Sequence, residues 1–298
     1  MYSGIINVYK EKGYTSHDVV AKLRGILKQK KLGHTGTLDP QAEGVLPVCL
    51  GAGTKLCELL TDKDKEYEAL LLLGVSTDTQ DITGTVQKRL PVTVSEEEVL
   101  QVIGSFVGEY EQIPPMYSAI KIDGKKLYEL AREGKEIERK ARTVSIVTLS
   151  VLSVELPRVR FRVACSKGTY IRTLCHDIGE KLGCGGCMEE LVRTRAGSFR
   201  LEEAVTLGEI EKKHEEKKLM SSILSVEEVL SEYPVCEVKP HADRLIYNGN
   251  PFEQADCANQ APTDIPIRVR DSGGRFVGLY VYRAEKRAFY PLKMFLES

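Results

Sequence analysis

Long hydrophobic runs are missing from this chain of 298 residues: the longest, ALLLLGV at 69–75, falls far short of the roughly 18 apolar residues that span a bilayer. An apolar leader with a small-residue cleavage site is also missing, because MYSGIINVYKEKG goes straight into a strand-like run. The expectation is a cytoplasmic protein that does not associate with membranes. Neither sign of charge dominates: the formal net charge is −1, so the molecule as a whole does not advertise a nucleic-acid partner. Internal repeats and low-complexity stretches are lacking. The hydrophobic content of 42% over this length supports one large core plus a small second domain, which excludes disordered and fibrous classes.

Cysteine is present without the pattern of a disulfide framework. The eight cysteines sit among hydrophobic neighbours, as in PVCLG and VACSK, which suits reduced core thiols in a chain this large. CGGC, Cys184 to Cys187, is the exception. Thiolates at this spacing can share a metal or form a redox pair, but there is no second CxxC, and the two glycines also suit a plain helix-ending turn. No metal site is expected.

Charge is uneven locally. Five basic residues and no acid lie between Val19 and Leu38 (Lys22, Arg24, Lys28, Lys30, Lys31), and five more between Leu156 and His176 (Arg158, Arg160, Arg162, Lys167, Arg172). Such stretches can bind phosphates or can be ordinary solvated faces. In VRFRVAC, Val159, Phe161 and Val163 alternate with Arg158, Arg160 and Arg162, which predicts a strand with one buried face and a basic ladder on the other.

The remaining patterns predict a mixed, largely antiparallel α+β sheet with flanking helices, because strands and helices alternate without a regular βαβ rhythm. SHDVVAKLRGILKQK reads as a helix capped by Ser16, SEEEVLQVIGSF as one capped by Ser95 with Glu98, and TLGEIEKKHEEKKL as one capped by Thr206 with Glu209. Residues 114–142 carry eight basic and five acidic side chains around Leu127, Leu130 and Ala131, the texture of a projecting arm or of a surface helical hairpin. After SEYP the texture changes to short strands with a turn at Ser272–Gly274, so a small β-rich domain is expected over 233–298, after a larger one over 1–232.

The loop KLGHTGTLDPQAEGVLPVCLG at 31–51 places the carboxylate of Asp39 among four glycines and two prolines. Read alone, Asp39-Pro40 is an Asx turn bonded to local amides. HTGTLD lacks the aspartate before Thr-Gly-Thr that aspartyl-phosphate chemistry needs, and GAGTKL lacks the ending of a phosphate loop. A second oddity lies far away. SKGTYIRTLCHDIGEKLG starts a helix with Arg172 in its first turn, where a cation opposes the helix dipole, so a carboxylate partner is expected.

GHTGTLDPQAEGVLPVCLG, DKEYEALLLLGVSTDTQDITG, QIPPMYSAIKIDGKKLYELAREG and CSKGTYIRTLCHDIGEKLG follow one another with the order and spacing of the bacterial TruB family of tRNA pseudouridine synthases. The chain resembles that family from about residue 4 to 210. The resemblance implies a pseudouridine synthase fold and isomerisation of the T-loop uridine usually numbered 55 to pseudouridine, with no cofactor or metal. It makes Asp39 the catalytic aspartate, Arg172 the guanidinium that pairs with it, and Tyr67 the ring that stacks on the target base and is a candidate for moving a proton. Tyr170 is a second pocket tyrosine, Leu191 an apolar wall, His34 the residue that fills the space left by an extruded base, and Lys10 a further substrate-binding position. The aspartate either attacks C6 of the uracil or assists cleavage at the sugar; the sequence leaves both open.

The same resemblance makes 114–142 a thumb that closes on the T-stem and loop, and makes the C-terminal region a reduced PUA-like RNA-binding module. Two positions depart from the family pattern: Glu11 where a proline is usual, and Val192 where a basic residue is frequent. The expectation is a stand-alone monomeric enzyme acting on tRNA; the alternative is a catalytically silent RNA-binding or RNA-folding protein of the same fold.

Overall fold

Period-two patterning becomes a ten-stranded sheet in the computed structural model, which describes residues 1–122 and 124–296. Residues 123, 297 and 298, which fall in the expected arm and C-terminal region, lie outside the described residues. In chain order the first elements are β1 (Gly4–Lys10), α1 (Ser16–Leu27), β2 (Leu32–His34), β3 (Glu43–Leu50), α2 (Cys57–Thr61), β4 (Lys65–Leu73), β5 (Val75–Thr77), β6 (Val86–Arg89), α3 (Glu96–Gly104) and β7 (Gly108–Gln112). The arm contributes β8 (Lys121–Ile122), β9 (Lys125–Lys126) and α4 (Leu127–Arg132). There follow β10 (Arg142–Glu155), β11 (Arg158–Cys165), α5 (Ile171–Lys181), β12 (Gly186–Ala196), β13 (Phe199–Arg200), α6 (Leu207–Glu215) and β14 (Ile223–Leu224). The chain ends with β15 (Val235–Glu237), β16 (Phe252–Glu253), β17 (Ile267–Arg270), β18 (Phe276–Arg283) and β19 (Ala288–Met294).

The main sheet runs β14-β1-β3-β12-β4-β11-β10-β7, with β2 on β3 and β13 on β12. β12 and β3 are parallel and the other neighbours antiparallel, as the α+β reading requires. β4 shows why it is central: Tyr67, Ala69, Leu71 and Leu73 all point to a core closed by Val99 and Ile103 of α3 and by Leu174 and Ile178 of α5. At the β1–β3 end, Ile6, Val8, Leu46 and Val48 pack under Val19, Val20 and Leu23 of α1 and Ile210 of α6. The opposite face of those two strands, Ile5, Val45 and Cys49, packs against Leu279 and Phe295 from the C-terminal region.

That region forms a separate five-stranded sheet, β15-β17-β18-β19-β16, around Cys236, Val238, Phe252, Val269, Tyr280 and Phe289. Its expected turn is made by Asp271, whose carboxylate accepts from the Gly273 and Arg275 amides.

The caps at Ser95 and Thr206 form as read, each with its Glu returning to the cap amide. The cap of α1 differs. Thr15, not Ser16, is the N-cap, and it exchanges hydrogen bonds with Asp18, while Ser16 is buried and turned inward. Both hydroxyls satisfy the sequence rule for a cap; Asp18, three residues after Thr15, completes the reciprocal box only with Thr15.

The arginine ladder of β11 also differs from a phosphate-gripping surface. Val159, Phe161 and Val163 are buried as read, but Arg158 pairs with Glu189 at 2.8 Å, Arg160 with Glu190 at 3.1 Å and Glu68 at 3.5 Å, and Arg162 with Glu68 at 3.5 Å. The acids come from β12 and β4, strands that only the fold brings alongside. CGGC is the turn between α5 and β12: Gly183 and Gly185 take positive φ, and the Cys184 and Gly185 amides donate to Gly179 O.

Candidate active site

Asp39 stands in the loop between β2 and β3, and neighbouring elements fix that loop on both sides. The Leu38 amide donates to Ser16 Oγ at 2.8 Å, which puts Leu38 into the core immediately before the aspartate. The Gly13 amide donates to Pro40 O at 2.8 Å. Beneath the loop, Lys10 is completely buried, and its ammonium donates to the carbonyls of Glu11, Pro40 and Ala42. The family resemblance makes Lys10 a substrate-binding position. In the structure its ammonium bonds these three backbone carbonyls and so holds the loop.

The Asx-turn reading of Asp39 is overturned. Its Oδ2 lies 2.9 Å from Arg172 Nε and its Oδ1 3.3 Å from Arg172 Nη2, a two-point fork rather than bonds to local amides. The guanidinium is 6% exposed and the aspartate 38%, so the cation is buried behind a carboxylate that opens to solvent on its other side. Arg172 is the second residue of α5, as the sequence placed it. Its other donors explain how it stays there: Nη1 donates to Thr79 O at 3.1 Å and Nη2 to Tyr117 O at 2.8 Å, with Asp81 Oδ2 3.8 Å from Nη1.

Two of these partners come from the β5–β6 turn and one from the base of the arm. Asp81 also holds its own turn, accepting from Thr79 Oγ1 and from the amide and hydroxyl of Thr83. Asp81 is not among the residues expected from the sequence; its signal in VSTDTQDITG is the run of Thr and Asp, which is the composition of a self-bonded turn.

Beside burial, the charge of Asp39 helps to raise the phenol of both predicted tyrosines. Tyr67 is buried in β4, and burial pushes its phenol above the ordinary tyrosine value, with the Arg193 cation opposing the rise. Tyr170 is the N-cap residue of α5, and Gln112 of β7 clamps its backbone. The Tyr170 amide donates to Gln112 Oε1 at 2.7 Å, and Gln112 Nε2 donates to Tyr170 O at 3.0 Å. Burial raises the Tyr170 phenol too, so both rings are neutral donors in the working pH range. Leu191 of β12 is buried in the same core cluster as Tyr67 and Leu38.

His34 ends β2, half-buried, with its Nδ1 buried and without a hydrogen-bond partner among the described residues. Burial, followed by the Arg193 charge, pushes it below the ordinary histidine value, which favours the neutral ring.

Arg193 is the residue that sequence reasoning missed. It is the largest fully buried side chain among the described residues, 1% exposed, and it reaches from β12 to Val45 O (2.7 Å) and Gly36 O (3.3 Å). LVRT carries no pattern that marks one arginine of a strand as buried. Gly44 makes room for it: a Cβ there would lie 2.3 Å from Arg193 O.

A half-open carboxylate locked by a buried guanidinium can attack an electrophilic carbon or assist a leaving base at a sugar. Comparisons with known proteins identify the family. Residues 24–171 match the family model for the TruB family pseudouridylate synthase (N terminal domain), and residues 172–231 match the tRNA pseudouridylate synthase B C-terminal domain. A protein of Lachnoclostridium phytofermentans named tRNA pseudouridine synthase B is 54% identical, over 99% of this chain and 100% of its own length. Another of the same name, from Alkaliphilus oremlandii, is 49% identical over 83% of this chain and 82% of its own. A solved structure of an H/ACA RNP bound to a substrate RNA containing 2′-deoxyuridine has a chain that matches 99% of this one at a TM-score of 0.75 and 28% identity, with 85% of that chain covered.

Fold and site together define a pseudouridylate synthase. Within that class, the chain belongs to the TruB family.

Proposed function

We propose that the chain isomerises uridine to pseudouridine in tRNA, at the T-loop position usually numbered 55. The observation that carries the reading is the Arg172 fork on Asp39, set beside Tyr67 in a chain 54% identical to a tRNA pseudouridine synthase B. The bond from uracil N1 to the ribose breaks, the ring turns, and C5 takes its place; the C5 proton leaves and N1 gains one, so the reaction balances without a redox partner. Asp39 acts on the ring or at the sugar, Arg172 fixes the carboxylate, and Tyr67 and Tyr170 present neutral hydroxyls to the base. Leu191 supplies an apolar wall to the pocket.

The target base leaves the RNA stack to reach Asp39, and His34 takes its place. A neutral, half-buried ring at the edge of the Asp39 loop suits stacking. The T-stem and loop lie along the flank of α1, where Lys22, Arg24, Lys28, Lys30 and Lys31 are exposed, with the arm at 114–142 closing as a thumb. Residues 1–232 form the catalytic domain and 233–298 a small PUA-like RNA-binding domain; the separate core around Phe252, Tyr280 and Phe289 supports this division. The enzyme works in the cytoplasm as a monomer. A T-arm transcript incubated with the enzyme, derivatised with carbodiimide and mapped by reverse-transcription stops acquires one adduct in the T-loop under this reading; an unmodified loop contradicts it.

A further inference from the structure

Arg193 combines three properties that packing alone does not explain. It is fully buried, it is charged, and its hydrogen bonds among the described residues go to backbone carbonyls rather than to a carboxylate. A buried cation is costly unless paired. This one has two more cations near it, since it helps depress the ammonium groups of Lys10 and Lys65, each lowered to about 8 chiefly by burial. Its place in the sheet is specific: in register, Arg193 lies opposite Tyr67 of β4 on one side and Gly44 of β3 on the other. The side chain then passes under the loop to Gly36, three residues before Asp39.

We propose that Arg193 is a positioning residue of the isomerisation site, tying the Asp39 loop to the Tyr67 strand and lending its positive charge, through the Tyr67 hydroxyl, to the uracil as negative charge develops there. The inference rests on the proposed function. When the N1–C1′ bond breaks with its electron pair on the base, the charge spreads over N1 and the two ring carbonyl oxygens. Attack at C6 also drives charge onto the ring, so both routes open to Asp39 need a cation on this side. A carboxylate beside Arg193 would cancel that field, which accounts for the missing acid; Asp39 already has Arg172.

The test uses tritium release from C5-labelled uridine in a T-arm transcript, under single turnover, for wild type, Arg193→Met, Arg193→Lys, Tyr67→Phe and Tyr67→Phe/Arg193→Met, with KM and melting temperature recorded. Arg193→Met is expected to slow release by about 100-fold while KM stays within about threefold, and Arg193→Lys to recover about tenfold of the loss. In the Tyr67→Phe background, Arg193→Met costs less than about threefold more, because the hydroxyl that transmits the charge is gone. A rate for Arg193→Met like that of wild type, a lysine variant as slow as the methionine one, or losses that multiply with Tyr67→Phe each overturn the proposal. Should Arg193→Met not fold, the same cycle runs with Arg193→Lys, where a smaller loss in the Tyr67→Phe background supports the coupling and an equal loss overturns it. Wild type separates the two levels: no release from it refutes the proposed function, whereas equal release by wild type and Arg193→Met refutes only the role of Arg193.

Discussion

Arg172 and Asp39, 133 residues apart in the chain, meet through two nitrogen–oxygen contacts of 2.9 and 3.3 Å, and the same guanidinium also donates to the carbonyls of Thr79 and Tyr117. One side chain therefore orients the carboxylate and ties it to the β5–β6 turn and the base of the arm. Lysine keeps the charge but cannot reach these acceptors together. Arg172→Lys is expected to lose about 100-fold in kcat with tRNA binding retained, measured by tritium release beside a filter-binding assay.

Thr15 and Ser16 are adjacent hydroxyls with separable roles. Thr15 caps α1, so Thr15→Ala costs about 1 kcal/mol of stability and leaves kcat unchanged. Ser16 holds the Leu38 amide. Ser16→Ala costs a similar ~1 kcal/mol but also lowers kcat, because the residue it releases precedes Asp39. Urea unfolding and single-turnover rates on the two variants check the contrast.

Two glycines predict opposite effects of the same substitution. Gly44 has φ +100°, and a Cβ there meets Arg193 O at 2.3 Å, so Gly44→Ala should destabilise by ~3 kcal/mol or prevent folding. Gly25 lies within α1, with nothing near its missing side chain. Gly25→Ala should stabilise by about 1 kcal/mol, read as a higher melting temperature.

Lys10 gives the stability of the protein a defined pH dependence. Burial lowers its ammonium from 10.5 to about 8, so between those values the unfolded chain binds the proton and the folded one does not. Stability therefore rises with pH across that window and is flat below it. Compared with Lys10→Met, the wild type should gain ~2 kcal/mol between pH 8 and about pH 10.5 in urea titrations. A gap that stays constant would mean that the buried lysine is not lowered.

The sheet was legible because period-two burial is local: β4 and β11 follow from alternation, and the caps at Ser95 and Thr206 from a three-residue spacing. Asp39 and Arg172 were legible as two oddities, a carboxylate in a glycine-rich loop and a cation at a helix start. What escaped depends on which strands become neighbours. The arginines of β11 pair with acids of β4 and β12, and Arg193 becomes a buried cation only because β12 inserts between β3 and β4. Lys10 is likewise an ordinary strand lysine until the Asp39 loop closes over it.

The central claim is that Asp39 carries the chemistry. The most direct measurement is tritium release from C5-labelled uridine in a T-arm transcript, with wild type beside Asp39→Asn, which keeps the shape of the side chain and removes its charge. The account predicts release by the wild type and none above background by the variant, with RNA binding intact. Release by Asp39→Asn at the wild-type rate would contradict it.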